Sequence, residues 1–412
     1  MEQLSYPVPS GLSAIPKEFL DLRPDAEVDQ QIMTPEPIRD EKNVFFFWHS
    51  GYENMHNYTK RNVRAWHRRF SKKGWVIHVV DLQPGSSFNI ANYVDVNDPA
   101  NFPKAFSDGA IEGPYGPQHT SDLVRWPLLL KYGGFYADVG MMPIGDIDRL
   151  WNTTIGDPKS GFEVVSYNLG GLQGRNLANY FLGSNKNNVL FQRCHRLFLE
   201  LWAADGGKSC TDGMHLNPLV TNIPPQDGGG NSLAFEHDGR SYTHEEGCKI
   251  LTDYVIQAQA MSLVMGLIDE EENWNGPKYV AERVFAMEYA EGSQLMNLLT
   301  MWNGPRQFEL MSLPLPKEGE EETEDQKEAR NIVEQCLQKS FCVKLAHGLI
   351  IKVLGQTLGS LWRDHTDSDD VPWTYGHWLR HGMVHWEQPH LMPRLEFEVI
   401  EPFKRGPLLR VA

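Results

Sequence analysis

Residues 119–140 read HTSDLVRWPLLLKYGGFYADVG, and this stretch decides how the chain folds. Its apolar run LVRWPLLLKY predicts a helix, which Gly133-Gly134 ends because glycine readily adopts the left-handed conformation of helix ends. Residues 135–137 then predict a short buried strand that carries Asp138 at its far end. Ligands of α/β proteins bind just beyond the carboxyl ends of strands, so Asp138 is the first candidate site residue.

Part of this stretch, SDLVRWPLLLKYGGFYADVG, resembles the signature of GT-A-fold glycosyltransferases with an Asp-x-Asp motif, in particular the capsular polysaccharide synthesis and Och1-like family. The matching residues are Ser121, Asp122, Arg125, Gly133, Gly134, Tyr136 and Asp138. The chain departs from the pattern where the second Asp is replaced by Gly140. The resemblance implies an α/β fold: a GT-A-like, Rossmann-type mixed sheet with flanking helices and a helical C-terminal region.

The same resemblance implies a glycosyltransferase that moves a sugar from a nucleotide-sugar donor to a small-molecule or glycan acceptor. In the family, Mn²⁺ or Mg²⁺ neutralises the donor diphosphate, and the second Asp of the motif grips that metal. Because this Asp is Gly140 here, three alternatives stay open. They are a metal held by Asp138 and a residue from elsewhere, a metal-independent transferase, and another use of the fold.

Asp122 and Arg125 lie one helical turn apart, and we assign both to the catalytic group with Asp138. They would either fix the sugar or join the helix to the sheet, and buried Arg–Asp pairs serve both purposes. Tyr136, two residues before Asp138, is assigned to substrate binding. By itself Asp138 would more simply cap a turn, but its place in the signature favours the functional assignment.

Two further strands are predicted before the signature. Residues 43–48 form an apolar run that ends where the resembled family docks the nucleotide base, so Trp48 and His49 are candidate substrate contacts. Residues 74–81 are rich in β-branched side chains and end in Asp81. With the amphipathic helix predicted between them, the two strands form a right-handed βαβ unit. Asp81 would bind a ribose hydroxyl or cap its own loop, and the two roles are equally supported.

Residues 177–183 (LANYFLG) predict another strand, and it resembles the acceptor-facing strand of the same family. Asn179 and Ser184 are therefore candidate acceptor contacts. Apolar residues at helical spacing predict helices over residues 188–202 and 250–268. Core packing is the simpler explanation of both patterns, and the methionines of the second helix would also suit an apolar acceptor pocket.

Composition shifts predict four segments along the chain. They are an irregular N-terminal arm (1–42), a catalytic domain (43–313) with an irregular insertion (203–247), an acidic linker (314–330) and a helical region (331–412) that packs on the catalytic domain. The linker is the charge run PLPKEGEEETEDQKEAR, which predicts a solvated loop passing into a helix. Two linked helices are predicted directly after it.

The C-terminal region offers candidate metal ligands. In many GT-A enzymes a C-terminal His or Asp completes the metal site, so His365 or Asp367 would replace the ligand lost at Gly140. The predicted metal set is therefore Asp138, His365 and Asp367, and it follows from the resemblance alone.

Two other patterns have simpler explanations. Asp146 and Asp148 form a literal Asp-x-Asp, but Asp148 better suits a helix N-cap or turn. His377, His381 and His385 share one helix face, as a metal site would require. Neighbouring tryptophans favour a packed aromatic helix there instead.

Composition limits the classes of partner. The net charge of −16 disfavours nonspecific binding to nucleic acid. Five scattered cysteines lack metal-binding spacing and predict reduced thiols, although Cys210 and Cys248 would be able to pair. The sequence contains no targeting signal and no uncharged run of membrane-spanning length, which predicts a cytoplasmic protein without a membrane span.

Two other classes of function compete with glycosyl transfer. One is aminoacyl-tRNA-dependent group transfer on a GT-A-like fold, as in proteins similar to cyclodipeptide synthases, for which tRNA would be the partner. It is favoured by the missing Asp and disfavoured by the acidic charge. The other is a non-catalytic binding module that keeps the scaffold.

Overall fold

A six-stranded mixed sheet lies at the centre of the structure, a computed structural model that describes residues 6–170, 176–221 and 232–397. Its strands are β1 (Asn43–Phe47), β2 (Val76–Val80), β3 (Gly134–Ala137), β4 (Val164–Asn168), β5 (Phe181–Ser184) and β6 (Val284–Glu288). Their order across the sheet is β6-β4-β5-β3-β1-β2. Strand β5 runs antiparallel to its neighbours β3 and β4, and the other three pairs are parallel. The predicted α/β fold with a mixed sheet is therefore confirmed, and it is consistent with a GT-A-like arrangement.

Alternating side chains of these strands feed two apolar cores, one on each face of the sheet. In β1, Phe45 and Phe47 join one core, while Val44 and Phe46 join the other. A third buried cluster, which includes Trp378, lies among the C-terminal helices. Burial on both faces explains why the strands read as continuous apolar runs.

The βαβ unit predicted at the start of the sheet is present. The helix Asn57–Phe70 connects β1 to β2, which pair in parallel. Its apolar face includes Trp66, whose indole nitrogen donates to the backbone carbonyl of Met141 (2.9 Å). On its basic face, Arg64 pairs with Asp29 of the N-terminal segment (2.5 Å).

The signature helix (Gly116–Tyr132) and β3 match the predicted helix and strand. The chain turns at Gly133 and at Gly134, the first residue of β3, which has φ +95°. A Cβ at this position would lie 2.4 Å from the carbonyl oxygen of Asn43 in β1. Glycine is therefore needed both for the left-handed backbone and for the close approach of the neighbouring strand. This turn sets the direction in which β3 delivers Asp138.

The other elements surround the sheet. The remaining helices are Asp25–Ile32, Lys104–Ser107, Ile147–Thr153, Val189–Ala203, His244–Tyr254, Ile256–Gly266, Gly276–Arg283, Tyr289–Ser293, Leu295–Leu299, Gly304–Ser312, Glu324–Lys339, Leu349–Leu354, Leu358–Asp364 and Tyr375–His385. Four antiparallel pairs of short strands are Ser13–Ala14 with Trp386–Glu387, Met141–Pro143 with Cys342–Lys344, Phe235–His237 with Arg240–Tyr242, and Ile268–Asp269 with Trp274–Asn275.

Three predicted segments differ from the structure. Residues 250–268 belong to two helices instead of one, because Val255 leaves the helical conformation (φ −99°, ψ 27°). The N-terminal arm, predicted as irregular, contains the helix Asp25–Ile32. A region predicted as helical contains the strand Cys342–Lys344, whose pairing with Met141–Pro143 is a long-range contact that local patterns do not encode.

Other expectations agree with the described residues. The acidic linker passes into the helix Glu324–Lys339, as predicted. The described residues of the insertion at 203–247 contain irregular stretches, short 3₁₀ turns, one hairpin and the start of the helix His244–Tyr254, and its residues 222–231 lie outside the described ranges. The same holds for residues 398–412 of the predicted helical region.

The predictions on cysteines and membrane spans can also be compared with the structure. All five cysteines lie in the described ranges and none forms a disulfide, so the pairing of Cys210 with Cys248 does not occur. In the described ranges, no helix combines the length and apolar character needed to cross a membrane.

Candidate functional site

The carboxyl ends of β1, β2 and β3 share one edge of the sheet because the three strands are parallel. Asp138 directly follows β3 there, and its backbone N–H donates to the carbonyl of Tyr180, just before β5 (2.9 Å). The strand Cys342–Lys344 pairs with Met141–Pro143, which brings Lys344 to the same place. Distant parts of the chain therefore meet around Asp138.

Two cations hold the Asp138 carboxylate. The Arg125 guanidinium donates from Nη2 to Oδ1 (3.0 Å), and the Lys344 ammonium donates from Nζ to Oδ2 (2.7 Å). Burial alone would raise the pKa of Asp138, but Lys344 and Arg125 outweigh it and hold that pKa below its usual range. The side chain is 25 % exposed, so at neutral pH an ionised and partly accessible carboxylate lies at the carboxyl edge of the sheet.

Arg125 is the centre of a buried polar network. Its Nη1 lies 2.6 Å from Asp122 Oδ1 and donates to Gln257 Oε1 (3.0 Å), while Nη2 also donates to Ser121 Oγ (3.2 Å). Burial would lower the pKa of Arg125, but Asp122 and Asp138 raise it above its usual value. Asp122 and Arg125 are both buried, so the geometry favours their role in joining helix and sheet over direct contact with a sugar.

Tyr136 supports the network instead of facing a ligand. The side chain is completely buried, and its hydroxyl lies 2.6 Å from Ser121 Oγ. The Arg125 guanidinium lies 5.0 Å from the ring centroid. A substrate would not reach a tyrosine enclosed in this way, so its assignment to substrate binding is corrected to a positioning role.

The two candidate acceptor residues are separated. Asn179 is half-buried and donates to Asp122 Oδ1 (3.2 Å) and Gln257 Oε1 (3.1 Å), which keeps it beside the network. Ser184 pairs with Gly134 at the opposite end of β3 and is completely buried in the sheet. Four strand residues span about 13 Å, so Ser184 is not part of this site, and that assignment is corrected.

Three candidate donor contacts lie at the same edge as Asp138. Trp48 is half-buried and His49 exposed after β1, and Asp81 follows β2, which ends in register with β1. Asp81 accepts the backbone N–H of Gln83 (2.9 Å) and the hydroxyl of Ser86 (2.7 Å). These contacts are those of a loop-capping residue, and a ribose contact at Asp81 stays a prediction.

The predicted metal ligands are not assembled. Asp367 pairs with Arg61, and the His365 ring packs against Phe308 with centroids 4.8 Å apart. Across the described ranges, no three His, Cys, Asp or Glu side chains are grouped so as to hold a metal ion. The structure therefore does not join Asp138, His365 and Asp367 into one site.

The other acidic and histidine patterns have structural partners. Asp146, and not Asp148 as predicted, is the N-cap of the helix Ile147–Thr153. Asp148 instead pairs with Lys42 (2.7 Å). In the C-terminal helix, His377 Nδ1 lies 2.6 Å from the Tyr6 hydroxyl, as a packed aromatic helix would have it.

The surroundings of Gly140 test whether a divalent cation fits the site. A Cβ at Gly140 would lie 3.0 Å from the carbonyl oxygen of Leu345 and 3.1 Å from His347 Nε2, so the returning segment lies against this position. Asp138 is the one carboxylate of the motif, and its two oxygens face the cations of Lys344 and Arg125. A divalent cation would need to displace an ammonium group, so this donor set does not fit one.

Sequence reasoning missed Lys344, Gln257 and His347. Gln257 lies in the helix Ile256–Gly266, in which every residue is buried although Gln257, Gln259 and Ser262 are polar. Polar residues in an otherwise apolar pattern were a usable signal, but the pattern does not single out Gln257. For Lys344 the short apolar run Phe-Cys-Val before it is compatible with a strand, but nothing in it identifies Met141–Pro143 as the partner. The missed residues all depend on contacts between distant parts of the chain.

Comparisons with known proteins identify the family of the chain. Residues 20–207 match the capsular polysaccharide synthesis protein family. O-glycosyltransferase braB of Annulohypoxylon truncatum is 31% identical over 93% of this chain and 89% of its own length. O-glycosyltransferase PaGT of Phomopsis amygdali is 32% identical over 92% of this chain and 91% of its own length. Glycosyltransferase afumC of Aspergillus fumigatus is 32% identical over 92% of this chain and 93% of its own length.

Among solved structures, the catalytic domain of alpha-toxin from Clostridium novyi covers 50% of this chain with a TM-score of 0.26 and 10% identity, and a likeness of that size carries no argument. The fungal relatives align with the chain over nearly its whole length and nearly all of theirs. The chain therefore belongs to the glycosyltransferase family that contains these fungal enzymes, and it is a transferase.

Proposed function

We propose that this protein transfers a sugar from a nucleotide-sugar donor to a hydroxyl oxygen of a small-molecule or glycan acceptor. Asp138 carries the proposal, because it is an ionised, partly exposed carboxylate at the carboxyl end of a central strand. Ligands bind at that edge in α/β proteins. Two relatives are named O-glycosyltransferases, which supports oxygen as the acceptor atom.

In the proposed reaction the acceptor oxygen forms a bond to the anomeric carbon of the sugar. The bond from that carbon to the diphosphate oxygen breaks, and its electron pair leaves with the nucleoside diphosphate. The hydroxyl proton is released to the departing diphosphate or to water. No residue of this chain is assigned as a covalent nucleophile.

In this proposal, different residues at the carboxyl edge of the sheet contact different parts of the substrates. Trp48 and His49 take the nucleotide base, and Asp138 accepts a hydrogen bond from the donor ribose. Asn179 is the acceptor contact, since its amide is half-buried beside the network. Asp122 and Arg125 act through Asp138 as positioning residues.

Thermal shift with a panel of UDP-, GDP- and ADP-sugars tests the proposal. A ligand that binds the native state raises stability by about 2.7 kcal/mol at a hundred times its Kd, so one donor should raise the Tm by several degrees. Asp138→Asn should lose the shift, whereas Asp108→Asn, a surface carboxylate paired with Lys104, should keep it. A panel without any shift for the wild-type protein would overturn the proposed function.

A further inference from the structure

We infer that this protein holds its donor diphosphate without a divalent metal ion and that the Lys344 ammonium supplies the positive charge in its place. The inference rests on the proposed function and names how its site handles the donor. Lys344 is not part of the signature, and its chain neighbours do not resemble one.

The position of Lys344 is set by backbone pairing. Lys344 is opposite Met141 in the antiparallel pair, and the next residue, Leu345, donates its N–H to the carbonyl of Gly140 (2.9 Å). These bonds clamp the lysine beside the position where the family has its second Asp. Its side chain is 12 % exposed, so a mostly covered stem presents the ammonium to the Asp138 carboxylate.

The ammonium keeps donors for a ligand. It has three N–H groups, and Asp138 Oδ2 is its one hydrogen-bond acceptor found in the described ranges. The Tyr180 ring lies 5.1 Å away and stabilises the cation without taking a directed hydrogen bond. Arg125 differs, because both of its terminal nitrogens already donate to side chains of the protein. Lys344 is therefore the cation that can accept new oxygen partners.

The charges around Asp138 also disfavour a metal. Asp122 and Asp138 are balanced by Arg125 and Lys344, so the group has no net negative charge to attract a dication. A metal beside Asp138 would face the Lys344 ammonium across a few ångströms, and like charges at that distance repel strongly at the low dielectric of a half-buried site. A diphosphate, by contrast, is attracted to that ammonium.

The chemistry asks for a positive charge at this place. When the bond to the anomeric carbon breaks, the departing diphosphate oxygen gains one negative charge. A compact ammonium that is already in position stabilises this charge without reorganisation, as a metal ion otherwise would. Asp138 would hold Lys344 in place and accept a hydrogen bond from the ribose hydroxyl.

Isothermal titration calorimetry with the donor that the thermal-shift panel selects, in EDTA and in Mn²⁺, tests the inference first. We expect the Kd of the wild-type protein to differ less than threefold between the two buffers. Binding that requires Mn²⁺ would overturn the inference while leaving the proposed function intact. Absence of binding in both buffers would overturn both.

Variants of Lys344 test the residue itself in EDTA. Lys344→Met keeps the stem and removes the charge, so we expect transfer to fall by about 10²–10³-fold. Lys344→Arg should restore part of the loss, and Lys278→Met, an exposed lysine at a helix start, should transfer like the wild type. Thermal melts confirm that each variant is folded. Transfer by folded Lys344→Met within threefold of wild type would overturn the assignment.

Gly140→Asp provides the converse test. It restores the family's second carboxylate but leaves the Lys344 ammonium beside Asp138, so calorimetry should detect no gain in Mn²⁺ affinity over the wild type. A tenfold or larger gain would mean that the Lys344 ammonium does not keep a dication out of this site, and it would overturn the charge argument on which the inference rests.

Discussion

Two clusters of carboxylates and cations tie the C-terminal part of the chain to elements on or beside the central sheet, and they are built alike. In one, Asp138 lies between Arg125 and Lys344. In the other, Asp369 lies between Arg61 Nη1 (2.8 Å) and Arg380 Nε (2.5 Å). Each places one carboxylate between two cations from distant segments.

The clusters differ in access and in spare donors. The Asp369 side chain is completely buried. Arg380 also donates hydrogen bonds to Asn62 Oδ1 (3.2 Å) and to the Tyr58 carbonyl (3.3 Å). The Asp138 side chain is 25 % exposed, and its lysine partner keeps unused N–H groups among the described residues. Similar ion pairs thus connect segments of the fold where they are buried, and form a candidate site where they are partly exposed to solvent.

The largest effect that separates the clusters is expected from Asp138→Asn. This change removes the charge that orients Lys344 and meets the donor, so kcat for transfer should fall by roughly 10³-fold. Asp122 still neutralises Arg125, so the free energy of unfolding should change by only about 1–2 kcal/mol. Steady-state kinetics and urea titration measure the two effects, and a folded variant with full activity would remove the site assignment.

Asp369→Asn should have the opposite profile. It leaves the buried Arg380 guanidinium without its carboxylate, whereas Arg61 keeps Asp367 and Asp370. Breaking a buried pair in this way costs about 3–5 kcal/mol. Activity per folded molecule should stay near that of the wild type, since Asp369 is remote from the edge residues in its contacts.

Asp367→Asn is the matched control, because it pairs with the same Arg61 but is 55 % exposed. Its loss should cost no more than about 1 kcal/mol. Urea titration of Asp369→Asn and Asp367→Asn measures both losses in the free energy of unfolding. Equal losses would contradict the distinction between buried and exposed ion pairs.

The smallest expected effect concerns pH. Burial, helped by the Lys344 charge, lowers the pKa of His347 to about 3. In the unfolded chain its pKa is about 6.5, so between these values the unfolded state binds a proton that the folded state does not. Stability should therefore fall as pH drops from about 6.5 to about 3, by up to about 2 kcal/mol at pH 5 from this group.

Urea titrations at pH 7 and pH 5 test whether His347 causes this loss of stability. In His347→Gln the change in the free energy of unfolding between the two pH values should shrink by the contribution of one titrating group. His381→Gln in the C-terminal helix should have the same effect, because burial lowers the pKa of His381 to about 3. Asp138 does not contribute in this window, since its lowered pKa makes its own loss occur only below the usual carboxylate range. If the free energy of unfolding of His347→Gln fell between pH 7 and pH 5 as much as that of the wild type, the pH dependence would have to come from other groups.

The predicted parts of the site lie where local sequence carries the information. The signature helix, the turn at Gly134 and the strand ahead of Asp138 follow from apolar spacing and from the need for a residue without a Cβ. The parallel βαβ unit before them follows from two apolar runs separated by one helix.

The errors arise where distant contacts decide. Tyr136 and Ser184 are in predicted strands, but which strand residues become enclosed depends on packing by the whole fold. His365 and Asp367 are chemically suitable ligands, yet their segment packs near Arg61 and Phe308 and not beside Asp138. No local sequence pattern predicts which carboxylate a distant segment of the chain will contact.

The sequence by itself determined the α/β class, the glycosyltransferase resemblance and the place of Asp138 at the edge of the sheet, since each follows from spacing within a few residues. The tertiary structure alone decided that Lys344, 206 residues from Asp138 along the chain, becomes its partner. The physical reason is that strand pairing between Cys342–Lys344 and Met141–Pro143 is a backbone interaction open to many sequences. The register of that pairing is therefore chosen by the packing of the entire molecule.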